Sequence, residues 1–468
     1  MIQKNAEELN RLISERILIL DGAMGSMLQE HKLSDILCLE KPELILDIHK
    51  LYLEAGADII SSCSFNANAV SLADYKIAGK AYDISRAAGA LARQAADEFS
   101  TVEKKRFAAG SMGPTPKSAS FCHDINDPGK RSIGWDELEA AYYDNARGLL
   151  DGGVDILLIE TIFDTINAKA AIAAVIRLRE ERDLDIPLII SATIANDAGR
   201  LLSGQTLEAF AVSVSHAEPF ALGLNCSFGA EKIFPHLNSF SGFSPFPVIC
   251  YPNAGLPAES GDYYEEPEKT AEAIKKFFEK KLVNIIGGCC GTTPAHIAAI
   301  AELAKNYQPR PLENLQIKEP LQHCYLSGLE VFPPISDAGG QSGNSPVFPE
   351  NMNDNTIVIT GNDPGSVDDA VELAEEIIDG GARILPVRID SELPCGKETV
   401  TRFFNTALFF PAIARIPIML ECSNTELLEA ALKCIQGKSL ISCKNISEEE
   451  IVTRHDALFR RYGATALR

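Results

Sequence analysis

The stretch Val283-Asn284-Ile285-Ile286-Gly287-Gly288-Cys289-Cys290-Gly291-Thr292-Thr293-Pro294 decides how this chain is read. An apolar strand runs straight into a glycine pair, which gives the backbone freedom of a sharp turn. Two adjacent thiols then project from the strand end into whatever lies above it. Adjacent cysteines are poor disulfide partners because the bond would strain the peptide between them. A soft metal ion can instead take both sulfurs on neighbouring corners of a tetrahedron, leaving a third ligand to be found.

Outward from this stretch, the same unit recurs: a short apolar run that ends in small or polar residues. Residues 17–20 lead into Asp21-Gly22-Ala23-Met24-Gly25, residues 58–65 into Asn66, and residues 106–109 into Gly110-Ser111-Met112-Gly113-Pro114-Thr115. Residues 154–159 lead into Glu160-Thr161, and further runs lie at 186–193, 220–226 and 247–253. Helical spacing separates them at 6–16, 42–55, 83–100, 135–151 and 164–181. Eight continuously apolar strands alternating with helices predict a parallel (β/α)8 TIM barrel over residues 1–305, since parallel strands are buried on both faces.

Asp21, Asn66, Ser111, Glu160, Cys226, Asn253 and Cys289 fall at the carboxyl ends of those strands, the face on which barrel enzymes build their sites. Those ends converge in a closed barrel, so Cys226, Cys289 and Cys290 can meet despite their separation in sequence. Three sulfurs leave one tetrahedral position open, the arrangement of a catalytic zinc site. A thiol substrate at that position would be deprotonated near neutral pH. Zinc kept only for folding, or three packed thiols, are the plainer alternatives, and helix capping is the plainer role for Asp21 and Glu160.

Composition bounds the function. A formal charge of -22 on 468 residues repels nucleic acid and anionic membranes. No apolar run reaches the ~20 residues of a membrane span, and the first residues lack signal-peptide character. Twelve cysteines in a chain without export signals predict a cytoplasmic location. Cys63, Cys122 and Cys250 read as packing residues. The eight histidines form no paired metal motif and receive no role.

The strand-end blocks resemble the homocysteine S-methyltransferases, most closely the amino-terminal half of cobalamin-dependent methionine synthases. The resemblance rests on the blocks at Asp21, Gly110 and Glu160, on Gly223-Leu224-Asn225-Cys226 and Tyr251-Pro252-Asn253-Ala254-Gly255-Leu256-Pro257, and on the opening stretch. It implies Cys226, Cys289 and Cys290 as zinc ligands and as the catalytic centre, with the homocysteine sulfur as fourth ligand. Asp21, Glu160, Ser111, Asn225 and Asn253 are then expected to bind substrate, the two carboxylates beside its ammonium. Ser62-Cys63-Ser64-Phe65 departs from the Thr-Asn-Thr-Phe-like sequence often found in the family.

Residues 306–355 are rich in Pro, Gly and Ser and read as a linker, with an extended docked segment at 324–332. Residues 356–468 repeat the alternation: strands at 356–360, 383–387, 417–420 and 439–442, the start of a fifth at 464–467, and helices at 366–380, 397–414, 425–436 and 447–462. This is about half of a second barrel and resembles the pterin-binding domain of the same synthases. The family's polar strand ends are replaced by Pro386-Val387-Arg388-Ile389-Asp390, Glu421-Cys422-Ser423 and Ser442-Cys443. A pterin needs directed donors and acceptors, which these changes remove.

The sequence thus predicts zinc-dependent methyl transfer to homocysteine, giving methionine. The resemblance implies methylcobalamin as donor, carried by a separate corrinoid protein or a further region, because no Asp-x-His-x-x-Gly signature is present. A donor such as S-methylmethionine, or a non-catalytic zinc-stabilised assembly subunit, are the alternatives. An open half barrel also predicts pairing with another surface, a homodimer among the candidates.

Overall fold

The computed structural model describes residues 2–28, 33–257, 263–312, 325–332, 356–359, 364–389, 396–442 and 456–467. Eight parallel strands form the first sheet: β1 (Leu18–Ile19), β2 (Ile59–Ser61), β3 (Phe107–Met112), β4 (Ile156–Ile162), β5 (Leu188–Ala192), β6 (Ala221–Gly229), β7 (Val248–Asn253) and β8 (Ile285–Ile286). Each pairs with its neighbour in sequence. β8 pairs with β1 through Leu18↔Ile285, and a bridge Leu20↔Ile59 joins β1 to β2, closing the barrel.

Alternation along the strands sets what lies inside. Leu18, Leu20, Ile59, Phe107, Ala109, Ile156, Leu158, Ile189, Ala221, Ile249 and Ile285 form one buried cluster. Leu9, Leu12 and Ile13 of the helix Ile2–Glu15 join this cluster and plug the amino-terminal end. One pleat further along β3 and β4, Ser111 and Glu160 continue the inward rows of Phe107, Ala109 and of Ile156, Leu158. The barrel interior is therefore packed below and polar at the carboxyl end.

Within the segment read as a linker, β9 (Leu326–Ser327) and β10 (Val331–Phe332) form an antiparallel hairpin. The hairpin is wedged between two bodies. Gln205 Nε2 donates to the Gly328 carbonyl at 2.7 Å, and Thr206 N–H to Leu329 at 2.9 Å. On the other side, Leu329 N–H donates to the Ala414 carbonyl at 2.8 Å.

The second sheet has five parallel strands in sequential order: β11 (Ile357–Ile359), β12 (Leu385–Ile389), β13 (Ile418–Glu421), β14 (Leu440–Ser442) and β15 (Thr465–Leu467). The single helix expected over 397–414 is two, Lys397–Ala407 and Pro411–Arg415. Pro411 has no N–H to continue the first helix, and Phe410 before it is extended at φ -82°, ψ 119°. Of the helix expected over 447–462, residues Asp456–Tyr462 are described and helical; residues 447–455 lie outside the described residues.

The second sheet is fixed to the barrel's outer helices. Lys169 Nζ donates to the carbonyls of Gly437 at 2.7 Å and Ile435 at 3.2 Å. Arg461 pairs with Glu139 at 2.5 Å, and the Tyr462 and Trp135 rings lie 5.1 Å apart. On the face of this sheet turned from its helices, Leu326 of the hairpin covers Met419 and Leu440. Farther along that face Val358 is exposed, and register partners Arg388 and Glu421 form an ion pair at 3.1 Å.

Candidate active site

A cavity of about 410 Å³ opens at the carboxyl end of the barrel. Asp21, Ser111, Glu160, Cys226, Cys289 and Cys290 all line it. The Sγ atoms of Cys226, Cys289 and Cys290 lie within 4.8 Å of one another, and those of Cys226 and Cys290 are 3.8 Å apart. A tetrahedral ion with Zn–S bonds of about 2.3 Å places its sulfurs roughly 3.8 Å apart, so the trio fits a thiophilic metal ion.

The backbone is bent to make this arrangement. Cys226 and Ser227 both have φ 62°, and the register of β6 against β7 shifts between Asn225 and Gly229. Thr161, directly after Glu160, has φ 58° at a matching irregularity in β4. Left-handed backbone costs a side-chain-bearing residue about 1–2 kcal/mol, and strain of this kind gathers where a side chain must be aimed. The opposite arm turns through Gly291, at φ 80°, whose Cα packs against the Tyr263 ring so closely that a Cβ would lie 2.2 Å from Tyr263 Cβ.

The three sulfurs share hydrogen bonds. Bonds from Cys226 and Cys289, with the Tyr263 hydroxyl, hold the Cys290 thiol far below its ordinary value. Contact with Cys226 and Cys290, then burial, pushes Cys289 up. The trio favours a shared negative charge, which a cation would stabilise.

The carboxylates sit across the cavity. Asp21 accepts the Ser61 N–H at 2.8 Å and the Ser61 hydroxyl at 2.9 Å; burial, with Glu160 adding, raises its pKa well above the ordinary range. Glu160 accepts from Ser111 Oγ at 2.5 Å and from Tyr251 at 3.2 Å, and is pushed up to about 7 by burial, with the charge on Cys226 adding. Neither caps a helix among the described residues. The helix after Glu160 is capped by Asp164, whose side chain accepts from Ile166 N–H.

Asn225 and Asn253 are not among the cavity's lining residues. Asn225 is fully buried and tied to Thr161, Ser191 and Cys289. Asn253 is 2 % exposed, with no hydrogen-bond partner for its Oδ1 among the described residues. Cys250 is a buried core residue, and Cys122 lies partly exposed in the loop after β3. Cys63 lines the cavity without joining the thiol trio. Sequence reasoning missed Asp35, which also lines the cavity and accepts Asn66 N–H at 2.8 Å, and it missed Tyr263. Both lie in loops with no periodic signal.

A parallel eight-stranded barrel with a three-thiol cluster at its carboxyl-terminal mouth, on the wall of a cavity, defines a class of barrel whose donor set suits a thiophilic metal ion. The chain matches the model of the homocysteine S-methyltransferase family over residues 18–304, and it belongs to that family. Among solved structures it is similar to the homocysteine methyltransferase MmuM from Escherichia coli. The metallated form is 23% identical, with a TM-score of 0.50, and the match covers 64% of this chain and 99% of that one. The oxidised form is 25% identical, with a TM-score of 0.49, covering 61% and 95%. Among the described residues no helix is long and apolar enough to cross a membrane.

Proposed function

We propose that the barrel, residues 1–305, transfers a methyl group to the sulfur of homocysteine, with Cys226, Cys289 and Cys290 as the ligands of one zinc ion. The observation that carries this reading is the meeting of three thiols from β6 and the turn after β8 within 4.8 Å at the cavity wall. Zinc bound there would supply acidity, keeping a substrate thiol ionised at neutral pH. Asp21 and Glu160 face the same cavity and offer carboxylates to the amino acid's ammonium. Ser61 orients the first, and Ser111 with Tyr251 the second. The homocysteine sulfur attacks the methyl carbon in line, the carbon–donor bond breaks with its electron pair going to the donor, and the thiol proton is lost to solvent.

The donor in this reading is a methylcorrinoid, methylcobalamin, supplied by another protein or region, as the likeness to methionine synthases implies. Residues 306–355 then link the barrel to residues 356–468, a pterin-domain-like scaffold without its folate chemistry, whose β11 edge, unpaired among the described residues, keeps a second copy of the chain a candidate neighbour. One observation favours a second donor. The cavity is lined by Asp21, Asp35 and Glu160 and by no lysine, arginine or histidine among the described residues, a lining suited to a cationic sulfonium such as S-methylmethionine.

Purified protein should contain stoichiometric zinc and make methionine from homocysteine with one of these two donors. Zinc without turnover from either donor would support the non-catalytic assembly subunit instead. Protein without zinc would overturn both.

A further inference from the structure

We infer that Asn225 is a positioning residue for the thiol cluster: it holds the arms that carry Glu160 and Cys226 together and spends its last N–H on Cys289. This rests on the proposed zinc site and assigns Asn225 a role other than contact with substrate. The argument is one of valence. A primary amide offers two acceptor lone pairs and two N–H donors, and a fully buried one needs all of them met. Asn225 has no exposed surface.

Its Oδ1 accepts from the Ser191 hydroxyl at 2.7 Å and from the Thr161 backbone N–H at 2.9 Å. Its Nδ2 donates to Thr161 Oγ1 at 2.7 Å. The remaining N–H points towards Cys289 Sγ, at 4.0 Å. The reverse orientation of the amide would set an N–H against the Thr161 N–H, so the backbone fixes which side faces the sulfur. A thiolate is a better acceptor than a thiol, so a long contact to Cys289 gains most when that sulfur is ionised, as a metal ligand must be.

The same side chain holds two strained turns in place. Thr161 and Cys226 both have left-handed backbone, on β4 and β6, and Asn225 bonds to the first and adjoins the second. Ser191 of β5, between them, completes a tie across three strands. Glu160 and Cys226, on opposite sides of that tie, therefore keep a fixed separation across the cavity floor.

Asn225→Asp tests this, because it preserves shape and acceptors but removes both N–H donors. Zinc affinity is measured by competition with a chelating dye, and the cobalt(II)-substituted protein reports on sulfur through its thiolate-to-metal charge-transfer band. The expected results are zinc binding weaker by roughly 10- to 100-fold, the range for lost support of a metal ligand, and a band shifted to lower energy as Cys289 loses its donor. Unchanged affinity and band in the variant, beside a zinc-binding wild type, would overturn the inference alone. A wild type that binds no zinc would overturn the proposed function and this inference with it. Should the variant not fold, wild-type protein loaded with cadmium-113 answers the same question: scalar coupling between cadmium and the Asn225 side-chain amide proton is expected, and its absence overturns the assignment.

Discussion

Ser61 meets Asp21 twice across the junction of the first two strands, its N–H on Oδ2 at 2.8 Å and its hydroxyl on Oδ1 at 2.9 Å. The carboxylate is thereby aimed before any substrate arrives. Asp21→Asn keeps this geometry, since the serine hydroxyl can rotate to accept from the new amide. It removes the negative charge offered to an ammonium. The expected outcome is a KM for homocysteine raised by about 10- to 100-fold, at roughly 1.4 kcal/mol per factor of ten. Stability measured by urea unfolding should be unchanged or higher, because a charge that burial disfavours has gone.

Replacing any one of Cys226, Cys289 or Cys290 by Ser leaves two sulfurs and a poor third ligand. Each variant is expected to lose bound zinc during dialysis and at least about 100-fold of activity, while circular dichroism stays that of the wild type. The fold should survive because the trio sits at the rim, above a core built of other residues. A variant that keeps both zinc and activity removes its cysteine from the centre.

His49 gives the acid limb of stability a specific source. The side chain is fully buried in the helix Pro42–Glu54, both ring nitrogens lack hydrogen-bond partners among the described residues, and burial pushes its pKa down to about 4. Its unfolded value is about 6.5. The unfolded chain therefore binds a proton that the folded one refuses, and stability present above pH 6.5 falls as pH drops towards 4. His49→Leu should remove up to about 3 kcal/mol of that loss, seen as a shallower decline in urea midpoint between pH 6.5 and 4.

Gly223 lies opposite Ile249 in the β6–β7 register, and a Cβ added there would fall 1.7 Å from the Ile249 carbonyl oxygen. The two nearest atoms are Ile249 backbone, which has no rotamer to move aside. Gly223→Ala should cost more than about 3 kcal/mol and leave little soluble protein on expression. Normal yield and an unchanged melting temperature would show that the two strands can part.

Lys169 adds an alkaline limb. Its Nζ is buried against the carbonyls of Gly437 and Ile435, and burial, with Lys438 adding, lowers its pKa to about 7. Between pH 7 and the unfolded value near 10.4 the unfolded chain binds more protons, so this group makes stability rise with pH. Lys169→Met should flatten that rise by up to about 1.4 kcal/mol per pH unit in paired urea titrations.

The barrel was legible because its strands are short, apolar and buried on both faces, a signal that survives even where only Leu18–Ile19 or Ile285–Ile286 pair. The thiols were legible as well, since converging strand ends bring Cys226 to Cys289 and Cys290 whatever the loops do. Simple alternation even places Ser111 and Glu160 inward. Alternation fails at Cys226 and Ser227, whose left-handed turn resets which side chain faces the cavity, and so strand-end position alone could not tell Cys226 from Asn225. Asp35 and Tyr263 come from loops whose paths depend on tertiary contacts. The break at Phe410-Pro411 carried a local signal in the proline, overridden by the helical spacing around it.

The ion pair of Arg388 and Glu421 limits what the second sheet can become. Their side chains keep 45% and 28% of their exposure, on the face a closed barrel would turn inward. Sealing that face against an apolar layer would take two charges out of water at several kcal/mol each. Whatever approaches it must arrive wet or bring polar groups of its own, so among the described residues the second sheet works as a wall with one dry side against its helices and one hydrated side beyond Leu326.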